Sequence, residues 1–232
     1  MMTNFTFLRV SSLFLFSFLL FGCSKDSLLD EDPIPEGNAS LIINSVTSGN
    51  TPISSESFVL TDAQIGIDGI KFNAEDKPNN KYDFLGPYQC NIINGVSNPD
   101  LGYTILSPNL YTSLSMDIIT NLEDSISNNS MCIIADGKYF PNGVNVYFFK
   151  FKTNAINSID VVFDNILEVD NNNIHKLSIV FDFSLWFTNN EFKDAEVSDD
   201  KYILIDEEHN IELYNKVIER IRSSAHLLKI KL

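Results

Sequence analysis

The sequence predicts a mainly β domain, an antiparallel β-sandwich of about eight or nine strands finished by one C-terminal amphipathic helix. Three observations carry this expectation. From residue 39 onward apolar and polar residues alternate with period two, which sends successive side chains to opposite faces of a pleated strand. Turn-forming groups such as Asn98-Pro99-Asp100, Ser107-Pro108-Asn109, Asp136-Gly137 and Pro141-Asn142-Gly143 separate the alternating runs. Only after about residue 208 does the spacing lengthen to three and four residues. Strands that follow one another with no helices between them build antiparallel layers rather than parallel crossover units.

Taken in order, the strand-like runs are 40–46, 58–61, 64–72, 82–93, 112–119, 131–135, 145–152, 159–169 and 176–187. The last is the clearest. Leu177, Ile179, Phe181, Phe183, Leu185 and Phe187 fall in one phase, and Lys176, Ser178, Asp182 and Ser184 in the other, so one side of this sheet is buried. The helix is expected over 208–228. Ile211, Tyr214, Val217, Ile218, Ile221, Ala225 and Leu228 form its apolar stripe. Asp206, Glu207 and Glu208 lie at its start and Lys216, Arg220, Arg222 and Lys229 towards its end, an order that suits the helix dipole. Residues 39–232 thus read as one β-sandwich domain with its helix.

Ahead of that domain the chain has a different character. Arg9 gives a positive start, residues 13–21 are almost wholly apolar, and Leu20-Phe21-Gly22-Cys23 places a small residue just before a cysteine. This resembles a bacterial lipoprotein signal peptide over residues 1–22. The resemblance implies that Cys23 becomes the first residue of the mature protein and carries thioether-linked diacylglycerol, with a third acyl chain on its amine. The apolar run is far shorter than the ~20 residues a helix needs to cross a bilayer, whereas two or more acyl chains give stable attachment. Residues 23–38 then form the lipidated cysteine and a polar, acidic, proline-bearing tether. Its Lys25-Asp26 start, with further acids soon after, resembles the export tag of surface lipoproteins in the Bacteroidetes. That implies a lipid-anchored protein of the outer membrane, exposed at the cell surface, with a periplasm-facing attachment as the alternative.

Charge excludes other partners. The formal net charge is -15, and because Arg9 is the only charged side chain before Cys23 the mature part carries -16. So acidic a surface argues against nucleic acid and against broad attraction to anionic lipid. Two cysteines remain after lipidation, Cys90 and Cys132, both within apolar strand-like runs. They are either a disulfide formed in an oxidising envelope or buried free thiols. No CxxC or His/Cys cluster suggests zinc. The acidic turns Glu75-Asp76 and 170–173 lack the spacing of a dedicated Ca²⁺ loop and read as turns. No metal and no cofactor is implied.

Ile65-Gly66-Ile67-Asp68-Gly69-Ile70-Lys71, Tyr82-Asp83-Phe84-Leu85-Gly86-Pro87-Tyr88 leading into Asn91-Ile92-Ile93-Asn94-Gly95, and Leu106-Ser107-Pro108-Asn109-Leu110-Tyr111 follow one another across the strand region. This layout resembles a family of Bacteroidetes lipoproteins with a β-sandwich domain of unknown function. The resemblance implies location and fold, and assigns no catalytic residue.

Candidate contact residues are aromatic. Trp186 falls in the polar phase of the 176–187 run with Ser184 and Asp182, so an exposed indole would stack on a sugar ring or an aliphatic surface; the competing reading covers it with a loop or the C-terminal helix. Tyr111, with Tyr103 and Tyr139 near predicted loops, would extend such a patch. Asp160, Asp164 and Asp182 are the carboxylates a glycoside hydrolase would need across a cleft, but all three occupy polar strand phases. His175, His209 and His226 have no serine or cysteine motif beside them that would make a triad. Asp26-Ser27-Leu28 and Asp124-Ser125-Ile126 resemble the Asp-Ser/Thr-apolar acceptor for O-glycosylation in this bacterial group.

The expectation is therefore a non-catalytic envelope lipoprotein that binds a glycan or protein ligand, as an adhesin or surface-structure subunit. A carbohydrate-binding accessory lipoprotein is the alternative, and a glycoside hydrolase the last reading.

Overall fold

The structure, a computed structural model, describes residues 38–46, 54–55, 57–75, 80–124, 129–170 and 173–230. The expected signal segment and tether, with Cys23, both O-glycosylation serines and Glu75-Asp76 as a pair, lie outside or across the edge of these residues. Among the described residues no helix is long and apolar enough to cross a membrane.

The chain from Pro35 onward forms one compact unit that is mainly β. Its larger sheet runs in the order Ser158–Val169, Asn109–Ile118, Phe58–Ala74, Ile133–Tyr139, Tyr147–Thr153, Tyr202–Ile205, and Phe84–Asn91 also pairs with Phe58–Ala74. Its smaller sheet runs Ala225–Lys229, His175–Asp182, Ala39–Val46, Tyr103–Thr104. Most pairings are antiparallel, as expected. Among the described residues two are parallel: Ala39–Val46 with His175–Asp182, and Tyr147–Thr153 with Tyr202–Ile205.

Phe58–Ala74 is the organiser. Its first half pairs with Ile133–Tyr139, its second half with Asn109–Ile118, and Phe84–Asn91 runs across its middle. The ladder slips between Ile67 and Gly69 on both sides, a local bulge. Gly69 is needed there because the Tyr82 ring lies on the backbone, where an added Cβ would sit 2.3 Å from Cδ1. Lys71 Nζ rests 4.3 Å from the same ring and bonds Asp117 at 2.9 Å.

The two sheets share a single core. Leu41, Ile43, Leu177, Ile179 and Phe181 come from the smaller sheet, and Ile65, Ile67, Phe72, Phe149 and Phe151 from the larger. Aromatic rings dominate one end, where Phe58 meets Phe192 at 4.8 Å and Phe149 meets Phe187 at 5.0 Å between centroids. Apolar area removed from water contributes ~25 cal/mol per Å², and edge-to-face ring pairs add to it.

The helix is shorter than expected, Ile211–Ser223, and buries Leu213, Tyr214, Val217, Ile218 and Ile221. Residues expected as its last turns instead form the strand Ala225–Lys229, paired with His175–Asp182. Ser224 ends the helix by donating its hydroxyl to the Ile221 carbonyl at 2.9 Å. From there the open edge of His175–Asp182 offers the backbone a ladder, continued where Ile230 N–H bonds the Lys176 carbonyl at 2.9 Å.

A fork fixes the helix to the short turn of helix Asn189–Phe192. Arg220 donates through both terminal nitrogens to Glu191, at 2.6 and 2.7 Å, while the Thr188 hydroxyl donates to the same carboxylate at 2.6 Å. The Arg220 bond, helped by Thr188, holds the Glu191 pKa down to about 2. Because the folded value is depressed from 4.5, the stabilisation is full above about pH 4.5 and is lost as pH falls towards 2. Urea unfolding across that window should show stability falling with pH, and Arg220→Ala should remove the Glu191 share of the slope.

Candidate functional site

The charged groups that the fold buries meet on the outer face of the larger sheet. In Tyr147–Thr153, Phe149 and Phe151 point into the core, so Lys150 and Lys152 take the opposite face. There the hairpin formed by Leu122–Glu123 and Ser130–Met131 covers them. Leu122 and Met131 pack on Ile134 as a small second core. That contact delivers Asp124, whose side chain is 0% exposed, between the two lysines. One carboxylate oxygen accepts from Lys150 at 3.3 Å and the other from Lys152 at 3.0 Å.

Each lysine has a second carboxylate on its flank: Asp136 lies 3.7 Å from Lys150 and Asp206 3.7 Å from Lys152. Burial raises the Asp136 pKa, and the Lys150 charge only partly offsets it. For Asp206 burial also pushes upward, but the His209 ring at 2.8 Å and the N–H groups of Glu208 and His209 win, so its pKa is lowered. Tyr202 is pushed up to about 12 by burial, with Asp136 and Asp124 adding to the effect. Each buried charge is thus compensated by an opposite charge, which is the condition for tolerating it.

A recess of about 320 Å³ opens beside this cluster. Lys152, already committed to two carboxylates, forms part of its floor, and Asn129, Asn154, Glu207, Glu208 and His209 line its rim. Two of the lining residues, Thr153 and Glu207, are held by the Tyr214 hydroxyl, which shares a bond with Thr153 at 2.8 Å and donates to Glu207 at 3.3 Å. Such a lining of carboxylates, amides and an imidazole suits a hydroxyl-rich or cationic group and disfavours an anion.

The sequence-predicted aromatic contacts lie elsewhere, and two are corrected. Trp186 is 0% exposed. The strand stops at Asp182, whose carboxylate accepts from the Ser184 N–H at 2.9 Å and hydroxyl at 2.6 Å, and the chain turns, with Trp186 N–H bonding the Phe183 carbonyl at 3.1 Å. The turn breaks the two-residue phase. It exposes Leu185 and sends the indole inward onto Phe183, with Nε1–H donating to Ser224 Oγ at 2.7 Å. Tyr111 is also buried, its ring edge-on to Phe72 and its hydroxyl donating to the Ser107 carbonyl at 2.9 Å, because the strand Asn109–Ile118 starts earlier than expected and turns it inward. Tyr139 is buried against Phe58. Tyr103 is exposed.

A Cys90–Cys132 disulfide is likewise ruled out. Both thiols are free and buried. Cys90 and Ile133 pair with Ile65 from its two sides, so Phe58–Ala74 runs between the cysteines. Two strand spacings are ~9.5 Å, beyond the ~7 Å Cα reach of a disulfide. Burial pushes Cys90 up to about 12 and raises Cys132 as well, which keeps both unreactive.

The candidate hydrolase acids are not gathered. Asp160 and Asp164 lie on the edge of the larger sheet and Asp182 in the smaller one. Asp160 accepts from Ser115 at 2.6 Å. His175 is buried, and its Nε2 accepts the Asp170 N–H at 3.3 Å. Among the described residues no group of three or more His, Cys, Asp or Glu is placed to hold a metal ion. No protein-family model, curated protein or solved structure matches the chain.

Proposed function

We propose that this chain is a lipid-anchored protein of the outer membrane, displayed at the cell surface, whose β domain has a non-catalytic binding or structural role, as an adhesin or surface-structure subunit. The observation that carries a role without chemistry is the use made of the buried charges. Asp124 is spent clamping a hairpin through Lys150 and Lys152, and is thereby committed to holding the fold. The anchor rests on the apolar segment that ends at Gly22-Cys23.

Carbohydrate binding is the second reading, and the recess beside Lys152 favours it. Its rim offers amide and carboxylate partners for sugar hydroxyls, although Trp186 and Tyr111 are too deep to stack on a ring.

Growth with an alkyne-bearing fatty acid tests the anchor. The protein should take up the label, and Cys23→Ala should lose both the label and nearly all membrane association. A Cys23→Ala protein that stays with the membrane would overturn the lipoprotein reading.

A further inference from the structure

The edges of the two sheets come together around an open groove of about 340 Å³. One wall is Ser158–Val169, the edge strand of the larger sheet. Its pairing with Asn109–Ile118 breaks between Val162 and Leu167, so residues 163–166 leave the ladder as an extended bulge opposite Thr112. The other wall is Ala225–Lys229, the edge strand of the smaller sheet. Apolar side chains stand in the open on both: Ile166 on the first and Leu228 on the second, with Phe163 half-buried beside them. Open edges bearing apolar side chains are what isolated proteins normally blunt with charge, proline or a covering segment.

The charges on the two walls are opposite. Among the residues that line the groove, Ser158–Val169 supplies Asp164 and Glu168 and no basic residue, whereas Ala225–Lys229 supplies Lys229 and no acid. A surface with one acidic and one basic wall is complementary to itself under one particular two-fold rotation. With the axis along the groove, the acidic wall of each copy meets the basic wall of the other, and the apolar side chains meet in the middle. With the axis across the groove, acids face acids and the contact is repelled. For a chain of net charge -15, self-association needs such a locally matched face to offset the general repulsion.

We propose that this groove is the contact between two copies of the chain, joined face to face about a two-fold axis parallel to the strands, with Glu168 of each copy beside Lys229 of the other. The proposal rests on the groove alone and is independent of where the protein is displayed.

Site-directed cross-linking of the full chain tests it. A chain carrying Glu168→Cys is co-expressed with a differently tagged chain carrying Lys229→Cys, so that a bond between the new thiols must join two molecules. The expected result is a disulfide-linked species of twice the chain mass that holds both tags, several-fold more abundant than from either variant alone. Two further variants guard against misfolding. Leu228→Glu should abolish the linked species, and Glu168→Lys combined with Lys229→Glu should self-associate where either single reversal does not. Absence of the mixed species, or an equal yield from Glu168→Cys alone, would overturn the proposal.

Discussion

Asp124→Ala should lower the unfolding free energy by ~3–5 kcal/mol, the usual cost of removing one partner from a buried ion pair. Its carboxylate holds two lysines that are about nine-tenths covered. Without it, each keeps only one flanking carboxylate, at 3.7 Å. Among the described residues the hairpin has a small apolar contact to compensate with, Leu122 and Met131 on Ile134. Urea unfolding is the measurement, with an unchanged denaturant slope showing that stability and not compactness has moved. The triple variant Asp124→Leu, Lys150→Met, Lys152→Met should recover most of the loss, because an apolar replacement of a buried charge cluster is often neutral or better. A loss under about 1 kcal/mol for Asp124→Ala, the size of an exposed pair, would mean that the cluster is solvated and does not clamp the hairpin.

Trp186→Ala should cost a similar ~3–5 kcal/mol through the cavity it leaves. The indole lies edge-on to Phe183 at 4.2 Å and reaches across to Ser224, the residue between the helix Ile211–Ser223 and the strand Ala225–Lys229. It therefore ties the end of the helix to the turn after His175–Asp182. Trp186→Phe keeps most of the volume and loses the hydrogen bond, so its cost should fall nearer ~1–3 kcal/mol. Circular dichroism during urea unfolding follows both, since this is the chain's one tryptophan. In the unaltered protein that same residue should give blue-shifted fluorescence resistant to aqueous quenchers. An unchanged midpoint for Trp186→Ala would contradict the buried placement and return the residue to the surface.

The two-residue pattern of 176–187 misplaces the indole because the strand ends inside it. Alternation from Leu177 to Phe181 marks Leu177, Ile179 and Phe181 as buried, and they are, but Ser178 and Val180 in the other phase are buried as well, so this strand is covered on both faces rather than one. Asp182-Phe183-Ser184 is a turn signal hidden inside an apparently continuous run, and a turn of this kind resets the phase for every residue after it. The same ambiguity affected the C-terminus. Ala225 and Leu228 fit both a three-residue step and a strand, and only the free edge of His175–Asp182 decides between them. Tyr202–Ile205 is not legible in the sequence, because four consecutive apolar residues have no readable period. It is a short parallel strand beside Tyr147–Thr153.

Half of the charge cluster was legible. Lys150 and Lys152 alternate with Phe149 and Phe151, which places both lysines on the outer face. Their partner was not, because Asp124 lies 26 and 28 residues away on a hairpin too short to stand out. Side-chain pairs of that separation depend on how two elements stack, which local periodicity does not encode.

Protease shaving of intact cells tests the central claim most directly, with a periplasmic protein as the leakage control. A surface-displayed, lipid-anchored domain should be digested while the control survives, and what remains should be a short acylated fragment containing Cys23. Full protection until the outer membrane is opened would contradict surface display and place the domain on the periplasmic side.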